Sequence, residues 1–124
     1  MNNLFMIPFD TINSNGNFVI IDIKSKKENV KCIFVVLNGK IYGTMFEIFT
    51  VSKGVLVYSF NEPLNSPDKI YKWLNKNIEK WGLLKPENFE LIQIYLNDRL
   101  IDEYTNSKNV DLDSISLTIY RKLK

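Results

Sequence analysis

Carboxylates and lysines carry most of the chemistry available to this chain. Histidine is absent, and cysteine occurs once, at Cys32. A Ser-His-Asp triad, a Cys-His pair and a zinc site of the usual Cys/His kind are therefore outside its means. Asp22 and Glu47 each stand between apolar neighbours. Facing one another they would form the carboxylate pair that is the minimum for glycoside hydrolysis. Nothing in the spacing sets their separation, so each reads as solvated charge at a strand edge or as a half-buried group with a cation partner. Asp111 and Asp113 are two apart and point the same way on an extended chain. Alone they lack the further oxygens a divalent ion needs, and they read as loop caps or solvated charge. Cys32 opens the apolar run Cys32-Ile33-Phe34-Val35-Val36-Leu37 and reads as a small buried hydrophobe. The five glycines, at positions 16, 39, 43, 54 and 82, are too scattered to cradle a phosphate. The expectation is a protein with no catalytic residues, no metal and no cofactor.

Charge offers two candidate binding surfaces instead. The net charge of +2 is too small to point to nucleic acid by itself. Residues 98–113, however, carry five carboxylates against two cations, and Arg121, Lys122 and Lys124 follow at the end. Asp98, Asp102, Glu103, Tyr104, Asp111 and Asp113 therefore form the first candidate, a negative surface for a basic partner. Lys69, Lys72, Lys76 and Lys80 form the second, a basic stripe at helical spacing that could meet phosphates. Arginine occurs only at positions 99 and 121, so the plainer reading of the stripe is the wet face of an amphipathic helix.

The elements that must position these residues are legible as patterns. Leu4 to Phe9 reads as a short edge strand and Asn13 to Asn17 as a turn cluster. Phe18–Lys24, Lys31–Leu37, Ile41–Val51 and Val55–Phe60 read as a four-strand antiparallel meander, with turns at 26–29, Asn38-Gly39 and 52–54. Ser66 as N-cap, Pro67 at the first position and Asp68 near the positive dipole end open a helix that should run to about Trp81. Ile70, Trp73, Leu74, Ile78 and Trp81 make its apolar face, and Gly82 ends it. Phe89–Leu96 and Arg99–Thr105 read as a hairpin over Asn97-Asp98. Ile115, Leu117 and Ile119 alternate with polar residues and read as a final half-buried strand. The expected fold is α+β over a single domain, 1–124: a mostly antiparallel sheet of about seven strands with one principal amphipathic helix.

Such strands are apolar on both faces, and one helix covers part of one. The remainder must be met by the sheet curling on itself, by a homodimer or by a protein partner. The start of the chain is apolar but short and carries no basic leader, so neither a signal peptide nor a membrane span is expected. With a single cysteine, this points to the cytoplasm.

Size, a meander with one helix, the Asn-, Lys- and Ile-rich composition of an AT-rich gene, and the lack of a catalytic constellation together resemble the small immunity proteins of bacterial polymorphic-toxin systems, including contact-dependent growth inhibition. The resemblance implies a binder that neutralises a cognate toxin, often a nuclease. The mildly positive charge departs from the acidic character of many nuclease inhibitors. The alternative is a phage or plasmid accessory protein that binds nucleic acid through the lysine stripe.

Overall fold

Two helices pack side by side on one face of an antiparallel sheet. The computed structural model describes residues 4–8, 17–47, 55–59 and 62–124, with the backbone alone for 4–8, 46–47 and 55–59. The strands are β1 (Leu4–Pro8), β2 (Phe18–Ser25), β3 (Asn29–Leu37), β4 (Lys40–Glu47), β5 (Val55–Ser59), β6 (Phe89–Leu96) and β7 (Arg99–Tyr104). The helices are α1 (Pro67–Leu74), extended by a wide turn over Asn75–Glu79, and α2 (Leu112–Leu123). The turn expected at 13–16, the end of the strand expected over 41–51, the turn at 52–54 and the side chain of Glu47 lie outside the described residues.

The α+β class holds, but the single sheet of about seven strands does not. Among the described residues the main sheet has five strands, in the order β4-β3-β2-β6-β7, and β1 pairs separately with β5. The meander therefore stops after β4. β5 lies near β4 without pairing to it. β6 instead returns to the far side of β2, with Ile21 opposite Ile94 and Ile23 opposite Ile92. Two turns were set by local chemistry. Asn38-Gly39 and Asn97-Asp98 hold positive φ at both positions, the geometry a two-residue hairpin needs.

The second correction is the end of the chain. Residues 115–120 are helical, and the principal helices among the described residues number two. Leu112, Ile115, Ile119 and Leu123 are buried along one face of α2, with Leu117 37% exposed. The Ile115-Leu117-Ile119 alternation is real, but the i, i+3, i+7, i+11 series through Leu112 and Leu123 buries more apolar surface. Asp111 caps the start: its Oδ1 accepts from the backbone N–H groups of Asp113 and Ser114, at 3.0 and 3.3 Å.

Between sheet and helices lies the main core. Val19, Ile21, Ile23, Cys32, Phe34, Ile92 and Ile94 meet Ile70, Leu74, Ile78, Ile115 and Ile119. Burial pushes the Cys32 thiol up in pKa and leaves it a packing group. On the opposite face Phe18, Ile20, Ile33 and Val35 are also buried, Ile33 to 1% exposure. The chain therefore covers this part of the second face itself, and the apolar surplus of β2 and β3 is largely consumed within the fold.

Candidate functional site

The acidic run at 98–113 is divided by the fold. Asp98 sits at the tip of the β6–β7 hairpin, where Asn97 is tied to the start of β2: its Oδ1 accepts from Phe18 N–H at 2.9 Å, and its Nδ2 donates to Asn17 Oδ1 at 2.8 Å. The Asn17 amide in turn donates to the Lys122 carbonyl, so the tip lies at the C-terminal end of α2. Asp111 and Asp113 are at the other end, about 18 Å away by the rise of a twelve-residue helix. Glu103 accepts a 2.9 Å hydrogen bond from Gln93 Nε2. Asp102 Oδ1 accepts from the Glu103 N–H.

Much of the charge asymmetry is the electrostatics of α2. Asp111 and Asp113 sit at its positive end, and Arg121 and Lys122 at its negative end. Asp111→Ala should lower stability by about 1 kcal/mol through loss of the cap. Thermal unfolding checks this, and Asp111→Asn, which keeps a capping oxygen, should recover most of the loss.

Asp102, Tyr104 and Asp111 do come together. Burial first, then the neighbouring Asp102 carboxylate and the more distant Asp111, push the Tyr104 phenol up to about 12 from an ordinary 10.0. The fold thus holds this phenol neutral where the unfolded chain ionises it. Its contribution to stability is whole below pH 10 and is lost as the pH climbs towards 12. Ultraviolet titration of the protein against its Tyr104→Phe variant should show one late-ionising tyrosine, and Asp102→Asn should bring it back towards 10.

A more developed site lies on the other side of the molecule, between α1 and the edge strand β4. It is a groove of about 800 Å³, lined on the strand side by Gly43, Thr44, Met45, Glu62 and Leu64, and on the helix side by Lys69, Lys72, Trp73, Lys76, Asn77 and Trp81. Three of the four stripe lysines are therefore in it, and Lys80 is not. Lys69 Nζ lies 3.3 Å from Glu62, and Lys72 Nζ lies 3.1 Å from Asp68, both as exposed pairs. Neither pair contributes much to stability, so both can exchange partners readily. Lys76 makes no ion pair among the described residues.

The two tryptophans behave differently from the expected apolar face. Trp73 is half-buried and meets the wholly buried Phe34 ring edge-on, with centroids 5.1 Å apart. Trp81, placed in the core by α-helical spacing, is 52% exposed. The wide turn explains the difference. Lys80 N–H bonds to the Asn75 carbonyl five residues back, so the chain needs one residue more to go round, and position 81 falls short of the buried side. Asn75 and Asn77 are the available signal in the sequence, being weak helix formers inside a helical pattern. Asn77 Nδ2 also donates to the Trp73 carbonyl at 2.8 Å. The contribution of Gly43 and Met45 from the sheet edge carries no comparable signal.

Asp22 pairs with Lys31 at 3.1 Å, on the face opposite the helices, while its buried Oδ1 has no hydrogen-bond partner among the described residues. Among the described residues no three potential metal ligands cluster, and no helix is long and apolar enough to cross a membrane. Comparison with known family models, curated proteins and solved structures found no match to this chain.

Proposed function

We propose that this chain is a non-catalytic binding module that holds a protein partner in the groove between α1 and β4, and that it inhibits that partner in the manner of the small immunity proteins it resembles. One observation carries the reading: a half-exposed tryptophan shares a groove with three lysines. Exposed tryptophan beside cations is the composition of a binding hot spot, where a ring supplies buried area and charge selects the partner. The lysines favour an acidic partner segment. They do not favour a nucleic acid track, because arginine is absent from the groove and the net charge of the chain is only +2.

The test is protection. Where a toxic domain is encoded beside this chain's gene, cells producing it should grow when the chain is co-produced. A Trp81→Ala, Lys76→Glu variant should lose protection and bind the toxic domain more weakly by about tenfold or more. Both residues are exposed, so the variant should fold. Asp98→Lys, Asp102→Lys and Glu103→Lys should leave protection intact. Undiminished protection by the groove variant, with loss in the charge reversals, would move the interface to the acidic surface. No protection by the unmodified chain would remove the reading altogether.

A further inference from the structure

The outer edge of β4 shows how the groove could be filled. The two-residue turn at Asn38-Gly39 makes Leu37 and Lys40 a hydrogen-bonded pair, and antiparallel pairs alternate from there. Ile41, Gly43 and Met45 consequently turn their backbone N–H and C=O groups away from β3. The Ile41 carbonyl accepts from Leu64 N–H at 2.7 Å, as that alternation requires. Gly43 and Met45 are the next two members of the same outward row, and both line the groove. No strand pairs with this edge among the described residues.

We propose that the groove takes an extended acidic segment of the partner as a sixth strand, paired to β4 at Gly43 and Met45 and flanked by Lys69, Lys72, Lys76 and Trp81. This rests on the groove being the partner-binding site. An edge row presents donors and acceptors in alternation, which a peptide backbone matches and a phosphodiester backbone does not. Gly43 brings no side chain to the α1 side of β4, and Phe34 and Leu64 fill the space a Cβ would take there, giving the groove an apolar floor. Alternate side chains of an added strand are about 6.8 Å apart, and residues four apart on a helix rise about 6 Å. Carboxylates at alternate positions therefore suit the spacing of Lys72 and Lys76. Lys69 and Lys72 exchange Glu62 and Asp68 for the incoming carboxylates, and Lys76, without an ion pair among the described residues, gains one.

The probe is a fluorescent peptide of about six residues alternating glutamate and valine, the length of an ordinary strand. Binding should be saturable by anisotropy and should slow amide exchange at Gly43 and Met45. Lys72→Glu with Lys76→Glu should weaken it by about tenfold. Methylating the peptide's alternate backbone nitrogens, which removes donors and keeps charge, should weaken it by a similar factor. Equal binding of the methylated peptide would overturn strand addition while leaving the groove as a side-chain site. Tighter binding of a single-stranded oligonucleotide of equal charge, or no binding of the peptide at millimolar concentration, would also overturn it. The protection experiment is read separately: loss of protection in the groove variant, with no peptide binding, rejects only the strand mode.

Discussion

Phe34→Ala should lower the melting temperature by about 10–20 °C, the largest effect expected of any single truncation in this fold. The ring is wholly buried, is met edge-on by Trp73, and lies against the backbone of Gly43. Its removal deletes a full aromatic side chain and leaves a cavity between the sheet and α1, a change that costs about 3–5 kcal/mol. For a domain of this length each kcal/mol moves the midpoint by about 3–5 °C. The loss should show in calorimetry and in near-ultraviolet dichroism, since Trp73 loses its ring partner. A shift below about 5 °C would mean that the helix collapses onto the sheet and fills the space. Gly43 supplies an internal check. A Cβ there would lie 3.0 Å from Phe34 Cε1 and 3.3 Å from Leu64 Cδ1, so Gly43→Ala should destabilise the unmodified protein. In the Phe34→Ala background the principal clash is gone, and the same substitution should cost clearly less. Such non-additivity is the signature of direct contact.

Leu117→Pro should destabilise by about 3 kcal/mol or more, although Leu117 lies off the buried face of α2. The position is inside α2, where proline removes a backbone donor and pushes against the preceding turn. Leu117→Ala separates the backbone effect from the side chain. With the residue 37% exposed, that change should fall within about 1 kcal/mol of neutral, because alanine is also the best helix former. Far-ultraviolet dichroism should show helix loss for the proline variant alone. Equal and small effects of the two substitutions would mean that the end of the chain is not helical.

Local chemistry was sufficient wherever one short segment closed its own hydrogen bonds. The hairpin turns at Asn38-Gly39 and Asn97-Asp98, the Ser66-Pro67-Asp68 helix start and the positive-φ turn at Gly82, three residues past the helical end at Glu79, all follow from residues that satisfy backbone groups or tolerate positive φ within a few positions. Where burial decides between two periodicities, the same reasoning failed. Residues 112–123 carry both a strand pattern and a helix pattern, and the core beside Val19, Cys32 and Ile92 selects the helix because Leu112, Ile115, Ile119 and Leu123 reach it together. The acidic run that stood out as a candidate surface is partly the dipole charge of that same helix.

The candidate groove was legible only in pieces. The lysine stripe and both tryptophans were visible as residues, but their assembly depends on contacts distant along the chain. β4 becomes an edge because, among the described residues, β5 pairs with β1 and not with β4, a choice written in neither strand alone. Trp81 leaves the core because the wide turn, which ends at Glu79, delays the chain by one residue and so turns position 81 by about 100° from the buried side. The sequence by itself determined an α+β class, its turns and caps, and a chain without histidine, since these rest on residue identity and on interactions a few positions long. Strand order, the second helix and the union of Trp73, Trp81 and the lysines with the β4 edge were decided by the tertiary structure. Burial free energy is summed over the whole core, and no local segment carries that sum.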